Sequence, residues 1–167
     1  MHANLEEAEA IVGPLDGFDC GSDAHLRALA NWFLGKGVAV VAITVGGRGC
    51  FTAVTSDSGR LAASPTLRRQ VGEWAGQEVR APAFAAGKES DVNANGAGDA
   101  FISSLVLAAA AWKDTLSLGE AVTFAALAAL QRVDGKLRES KLKRNAAELM
   151  AIVKAGGDGL PPTLPLN

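Results

Sequence analysis

The chain of 167 residues contains few of the residues that hold small domains together covalently or through metals, with only two cysteines and two histidines. This scarcity excludes a disulfide framework, and no Cys/His zinc pattern is evident, so Cys20 and Cys50 are expected to be free thiols. His2 and His25 are isolated from any Cys or Asp cluster with metal-ligand spacing. Neither histidine is therefore expected to have a catalytic role.

Strong charge and long apolar runs are also lacking. The formal net charge is −2, which offers no electrostatic footprint for nucleic acid. No uninterrupted run of about 18 apolar residues could span a bilayer, and Glu6, Glu7 and Glu9 stand where a signal peptide would carry positive charge. These absences favour a cytoplasmic protein with no nucleic-acid or membrane partner.

Two common phosphate-binding patterns are absent as well. Gly87-Lys88 is followed by Glu89, so the chain has no Walker A loop, which needs Gly-Lys followed by Ser or Thr. Gly96-Ala97-Gly98 is followed by Asp99 and lacks the third glycine of a dinucleotide-binding fingerprint. Both P-loop NTPases and Rossmann-type dehydrogenases are excluded.

What the sequence does contain is the run NGAGDAF, Asn95 to Phe101, which places an Asp in a junction of Gly and Ala. The apolar run Ala100 to Trp112 predicts a helix, whose first free N–H groups would point toward Asp99. A helix N-terminus attracts anions, and a carboxylate beside it can accept a proton from an attacking hydroxyl. The junction therefore predicts phosphoryl transfer, although a glycine-rich helix cap is an alternative interpretation.

This run resembles the second signature of the ribokinase-like (PfkB) family of carbohydrate and nucleoside kinases, written D-T-x-G-A-G-D. The resemblance implies that Asp99 is the catalytic base that activates the substrate hydroxyl. It also implies that the backbone amides of Gly96, Ala97, Gly98 and Asp99 hold the transferred phosphoryl group. Asn93 stands where several family members have an Asp near a monovalent cation, so that ion is doubtful here.

A second motif begins at Asn4, where Asn4-Leu5-Glu6-Glu7 opens an Ala/Glu-rich helical segment. An Asn cap followed by Glu at the third helical position is a capping box, which many helices have. The segment also resembles the N-x-x-E motif with which the PfkB family organises magnesium and its waters. By that resemblance Asn4 and Glu7 would hold Mg²⁺ through water.

A third motif follows the apolar run Val38 to Val45, which predicts a buried parallel strand. Cys50 to Ser56 predicts a second strand, so the glycines between them form a turn. One interpretation of this segment is a strand-turn-strand unit with no functional role. The segment also resembles the family's T-x-G-x-x-G, which borders the nucleotide, and this implies nucleotide-binding roles for Thr44, Gly46 and Gly49.

Further along, Leu118 to Val133 predicts a second very apolar helix after the one from Ala100 to Trp112. In the PfkB family the end of the corresponding helix and the loop after it help to form the adenine pocket. The resemblance is loose here, and it assigns Gly135 to the nucleotide site.

The remaining pattern predicts a β-α-β rhythm. Helices are expected over Leu5 to Val12, Asp23 to Leu34 with Ser22 as N-cap, and Asn145 to Ala155; Arg60 to Ala63 is expected to be a short strand, and Val79 to Phe84 to be extended. Such a rhythm favours an α/β fold with helices on both faces of the sheet. Together with the resemblance it implies the C-terminal portion of a ribokinase-like three-layer αβα fold with a mostly parallel sheet.

Length shapes the functional hypothesis. Kinases of the PfkB family are roughly twice as long and carry N-x-x-E near their middle, whereas here the motif begins at residue 4. Residues 1–158 are therefore expected to be a C-terminal, nucleotide-binding half, and residues 159–167 an irregular tail. The predicted function is ATP- and Mg²⁺-dependent phosphoryl transfer to an alcohol group of a sugar or nucleoside.

Two alternatives to an active kinase remain open at this point. One is a non-catalytic nucleotide-binding remnant or half of a split enzyme, and the other is a degenerate interaction domain. The expected partners are a small-molecule substrate and either a second copy in a homodimer or a missing N-terminal half.

Overall fold

The structure, a computed structural model, describes residues 1–86, 93–112, 115–134, 145–156 and 160–164. The first range contains the strands and four short-to-medium helices: β1 (His2–Asn4), α1 (Leu5–Val12), α2 (Asp23–Gly35), β2 (Val40–Thr44), β3 (Cys50–Val54), α3 (Ser58–Ala63), α4 (Val71–Trp74) and β4 (Glu78–Ala81). The later ranges contain α5 (Ala97–Ala111), α6 (Leu118–Val133) and α7 (Ala146–Ala155).

The four described strands form one sheet in the order β1-β2-β3-β4. β1 pairs with β2 in parallel, whereas β2–β3 and β3–β4 are antiparallel. The α/β class predicted from the sequence is confirmed, and the described sheet is mixed because the short glycine turn after β2 permits only a hairpin. A parallel neighbour would need a much longer crossover.

Helices cover both faces of this sheet, and alternate residues of one strand serve the two faces. Val41 and Ile43 of β2 pack with α1 and α2, whereas Ala42 between them belongs to the cluster that contains α5, α6 and α7. A strand buried on both sides must be apolar throughout, which is why β2 reads as a continuous apolar run. The result is the three-layer αβα arrangement expected.

Local signals account for most helix boundaries. Ser22 caps α2 by accepting a hydrogen bond from the His25 N–H, as predicted. The strand predicted over Arg60 to Ala63 is wrong, because these residues belong to α3. The Asp57 side chain accepts a hydrogen bond from the Arg60 N–H and so starts a helix there.

The segment 160–164 is tied to the residues after β4. The Ala85 N–H donates to the Pro162 carbonyl at 2.7 Å, the Leu164 N–H donates to the Ala83 carbonyl at 2.8 Å, and Phe84 and Thr163 form an antiparallel bridge. This backbone pairing holds the end of the described chain against the sheet. In the residues described, no helix has both the length and the apolar character needed to cross a membrane.

Candidate active site

The parallel pairing of β1 and β2 brings two of the sequence motifs together. In its register Asn4 lies opposite Thr44, so the N-x-x-E segment and the glycine turn leave the sheet at the same edge. Both strands end there, and the carboxyl ends of parallel strands are where α/β proteins bind ligands. The edge is therefore a place where polar residues from distant parts of the chain can cooperate.

Asn4 and Glu7 form a complete capping box at the start of α1. The Asn4 Oδ1 accepts from the Glu7 N–H and the Glu7 Oε2 accepts from the Asn4 N–H, both at 2.8 Å. The same arrangement occurs at Asn145 and Glu148 of α7. The motif by itself is thus a capping device, and only its position at the sheet edge distinguishes Asn4 and Glu7 from the pair on α7.

The turn after β2 is a single 3₁₀ turn, Gly46–Arg48, closed by a hydrogen bond from the Val45 N–H to the Gly49 carbonyl at 2.7 Å. Gly49 has a φ of 82°, and a Cβ at this position would overlap the backbone of Ala81 and Pro82. Glycine is therefore required here by the close approach of the hairpin to the end of β4. The glycine turn is rigidly placed beside the sheet edge.

The third motif forms the N-terminus of α5, with Asp99 in the first turn. Gly96 is the N-cap, with a left-handed φ of 79° and no side-chain cap. The Ala97 N–H donates to the Ala94 carbonyl at 3.0 Å, which removes this predicted donor from the anion hole. In the described part of the chain no group accepts from the N–H of Gly96, Gly98 or Asp99, and these three are the candidate donors for an anion.

A positive charge lies beside this N-terminus. The Arg132 guanidinium, near the end of α6, is close enough to Gly96 that an added Cβ there would lie 3.0 Å from its Nε. An arginine next to free N–H donors strengthens an anion-binding site.

His2 is the site residue that the sequence analysis missed. Its Nε2 lies 3.4 Å from the Thr44 Oγ1, its ring is 5.8 Å from that of Phe101, and it packs against Gly98. Burial lowers the pKa of His2, the Glu7 and Asp99 carboxylates oppose this shift, and the N-terminal amine adds to it. The only sequence signal was the strand period, because His2 and Asn4 are two residues apart and lie on the same face of β1.

One cavity of about 850 Å³ joins these pieces. The predicted site residues that line it come from all three motifs: Asn4, Glu7, Thr44, Gly46, Gly49, Gly96, Ala97, Gly98 and Asp99. The same cavity is also lined by apolar residues of α6 and the segment 160–164, which include Ala129, Leu130 and Leu164. Gly135 lies outside the described residues. The roles of the predicted site residues in binding and catalysis remain predictions.

Asn93, at the start of the third motif, uses its own polar groups locally. Its N–H donates to the Val133 carbonyl at 3.0 Å, and its Oδ1 accepts from the Asn95 N–H at 3.0 Å. These bonds join the loop before α5 to the end of α6. The position that would carry a cation-associated Asp is therefore engaged in holding two cavity walls together.

Comparison with solved structures supports the fold. A protein from Clostridium perfringens assigned as a sugar kinase is 18% identical and matches 92% of this chain with a TM-score of 0.60. Phosphofructokinase-2 from Escherichia coli, solved with fructose-6-phosphate, is 15% identical and matches 92% of this chain with a TM-score of 0.55. The chain spans 39% of the length of each of these structures. The ribokinase-like fold class is confirmed.

No curated protein matches the chain in sequence. A profile of the pfkB family of carbohydrate kinases, in contrast, matches residues 1–141. This match includes the capping box at Asn4, the glycine turn and the N-terminus of α5, which together line the cavity. The chain therefore belongs to the PfkB family of carbohydrate kinases.

Proposed function

We propose that this chain is the nucleotide-binding and phosphoryl-transfer portion of a kinase that moves the γ-phosphoryl group of ATP to a hydroxyl of a sugar or nucleoside. The observation that carries this proposal is that three segments separated by many residues line one cavity. Each segment supplies a different requirement of phosphoryl transfer: a proton acceptor, donors for the phosphoryl oxygens, and oxygen atoms for a hydrated cation.

Asp99 is the proposed base. Its exposed carboxylate stands in the first turn of α5 on the cavity surface, so an acceptor hydroxyl can approach it from solvent. As the bond from the acceptor oxygen to the γ-phosphorus forms and the bond to the β–γ bridging oxygen breaks, the hydroxyl proton passes to Asp99. The N–H groups of Gly96 and Gly98, with the Arg132 charge behind them, stabilise the phosphoryl oxygens.

Asn4 and Glu7 fit the water-mediated role proposed for them with Mg²⁺. Their capping bonds use the Asn4 Oδ1 and the Glu7 Oε2, and no described residue donates to the Glu7 Oε1. Both side chains are exposed on the cavity, where they can accept from metal-bound waters. When bound, Mg²⁺ supplies charge neutralisation of the nucleotide phosphates.

The nucleotide is proposed to lie against the glycine turn and the apolar residues of the cavity. Thr44, Gly46 and Gly49 supply backbone and a small hydroxyl to the cavity, Leu164 lies beside this turn, and Ala129 and Leu130 of α6 add apolar surface. A flat base needs such an apolar slot with few polar groups. Gly135 remains a proposed member of this site by family resemblance alone.

A second candidate function is supported by the length comparison. The chain spans 39% of two kinase structures of the same fold. In this second candidate, residues 1–158 meet the residues that bind the acceptor only in a longer or two-chain enzyme. In that case this portion binds ATP but transfers nothing alone. Its partner would be an N-terminal half or a second copy of the chain.

Titration calorimetry with ATP and Mg²⁺, together with an assay of ADP release in the presence of sugars and nucleosides, separates these functions. Binding with turnover supports a kinase, and binding without turnover supports a nucleotide-binding portion. Absence of any ATP binding would overturn both and leave an interaction domain. Asp99→Asn should keep the ATP affinity within about threefold and lower any turnover by at least about 10²-fold; Asp57→Asn, on the exposed cap of α3, serves as the matched control.

A further inference from the structure

We propose that Glu9, Cys20 and His25 form a binding site for one divalent cation of the zinc type, away from the cavity described above. Glu9 belongs to α1, Cys20 to the loop after it, and His25 to the first turn of α2. One ligand atom from each residue lies within 4.8 Å of the other two. Carboxylate oxygen, thiolate sulfur and imidazole nitrogen form a donor set that zinc prefers.

The distances between the ligand atoms are close to those of a bound ion. The Cys20 Sγ lies 3.3 Å from the Glu9 Oε1, and the His25 Nδ1 lies 3.7 Å from the same oxygen. Zinc bonds of about 2.0–2.3 Å in a tetrahedral arrangement separate neighbouring ligand atoms by roughly 3.4–3.7 Å. Small side-chain rotations therefore suffice to close the site around an ion.

The His25 Nδ1 is the third ligand atom, and its one lone pair already accepts a hydrogen bond. The Gly21 N–H donates to the His25 Nδ1 at 3.0 Å, so this nitrogen carries no proton. The approach of Nδ1 to Glu9 is therefore a meeting of two acceptors and not an ion pair, although the distance alone would allow one. Binding of an ion at Nδ1 therefore requires the Gly21 N–H to exchange this hydrogen bond for one to water.

In the metal-free protein the Cys20 thiol donates its proton to the Glu9 Oε1. A metal ion that bonds to the sulfur, the oxygen and Nδ1 replaces the thiol proton, which leaves to solvent, and displaces the Gly21 N–H from Nδ1. The Arg48 guanidinium, which packs against Gly21, lies near the cluster and moderates its negative charge in the metal-free protein. Its long side chain can swing away when an ion enters.

The surroundings combine one fixed ligand with two accessible ones. His25 is buried, and its backbone N–H donates a hydrogen bond to the Ser22 Oγ, which caps α2. Cys20 is exposed and the Glu9 side chain is 35% exposed, so an ion can enter from solvent. Bound metal would join the end of α1 to the start of α2, and the fourth position would hold water.

The test is metal binding by the EDTA-treated chain. Zn²⁺ alone, followed by calorimetry, is expected to bind with one ion per chain and to raise the melting temperature. Co²⁺ alone is expected to produce a thiolate-to-cobalt charge-transfer band, which reports a sulfur ligand directly. Cys20→Ser, an exposed and conservative change, should abolish that band and weaken Zn²⁺ binding at least about tenfold.

Glu9→Gln should weaken Zn²⁺ binding in the same direction, whereas Asp19→Asn, beside the site, and His2→Gln, which removes the other histidine, should not. Circular dichroism checks that each variant is folded. Absence of Zn²⁺ binding, or a Co²⁺ complex that survives Cys20→Ser, would overturn the proposal. Loss of binding in His2→Gln would do the same, because it would place the ion in the cavity instead.

Discussion

Gly49 is a residue whose identity is dictated by its neighbours. A Cβ there would overlap the Ala81 and Pro82 backbone, and its φ of 82° is unfavourable for any other residue. We expect Gly49→Ala to lower the free energy of unfolding by about 2–4 kcal/mol, since backbone must move to admit the methyl group. Urea unfolding followed by circular dichroism measures this change.

Gly47 provides the matched control in the same turn. It has no positive φ, and the nearest atom to an added Cβ is the Leu164 Cδ1 at 3.7 Å, an ordinary contact. Gly47→Ala should therefore change the free energy of unfolding by less than about 1 kcal/mol. Equal destabilisation by the two substitutions would contradict the close approach at Gly49.

Cys50 predicts a dependence of stability on alkaline pH. Burial raises the pKa of the Cys50 thiol from 9.0 to about 12, so the unfolded chain loses this proton at lower pH than the folded chain. The contribution is fully present below about pH 9 and decreases as the pH rises toward 12. Between pH 9 and 10 we expect the free energy of unfolding to fall by ~1 kcal/mol for this group.

This effect is isolated by comparing the slopes of the free energy of unfolding against pH in different variants. Urea titrations of Cys50→Ala across the same pH range should show a shallower decline, whatever the variant loses in absolute stability. Cys20→Ala, which removes the exposed thiol, should retain the slope of the natural chain. If Cys50→Ala and the natural chain declined in parallel, titration of Cys50 would not explain the loss.

At the scale of elements, comparing the two N-x-x-E capping boxes distinguishes a role in helix capping from a role in cation binding. Glu7 on α1 lines the cavity, whereas Glu148 on α7 makes the same reciprocal bonds and does not. Glutamine also serves in a capping box, so Glu7→Gln keeps the cap but removes the charge. We expect it to weaken ATP binding in the presence of Mg²⁺ by about tenfold, with unfolding changed by less than about 0.5 kcal/mol.

Glu148→Gln makes the same chemical change at the other box and should leave ATP binding unaltered. Calorimetry with and without Mg²⁺ distinguishes the two variants, because the loss in Glu7→Gln should disappear when the metal is omitted. An equal effect of both substitutions on ATP affinity would mean that Glu7 acts only through helix stability.

The individual helices and strands show how much of the fold could be predicted from the sequence. The apolar spacing of α2, its Ser22 cap and the apolar run of β2 are local signals, and the structure confirms them. The strand expected over Arg60 to Ala63 was wrong because a cap three residues earlier, Asp57, outweighed the pattern of four residues. Short segments contain too few residues for periodicity to decide between helix and strand.

Side-chain clusters that form only when distant segments of the chain fold together could not be predicted from the sequence. His2 interacts electrostatically with Glu7 and Asp99 only because β1 pairs with β2 and α5 packs near them. Cys20 and His25 were separated by a spacing that no common zinc motif uses, and Glu9 lies a further eleven residues away from Cys20. Such contacts depend on loop paths, which local propensity does not encode.

At the scale of the whole molecule, the cavity is bounded by both ends of the described chain. β1 supplies His2 and Asn4, while the segment 160–164 supplies Leu164 through its backbone bonds to Ala83 and Ala85. The sequence pattern predicted that residues 159–167 form an irregular tail. Its pairing makes the described part a wall of the proposed nucleotide site.

Leu164→Ala tests whether this wall contacts the nucleotide. Leu164 is 37% exposed and lines the cavity beside the glycine turn, so a base bound there would bury the side chain. Losing that contact should weaken ATP binding by about three- to tenfold while changing stability little, because the backbone bonds remain. Thr163→Ala, which alters the neighbouring exposed residue that is not part of the cavity lining, is the matched control. Calorimetry at constant Mg²⁺ measures both variants, and an unchanged ATP affinity in Leu164→Ala would place the base away from this wall.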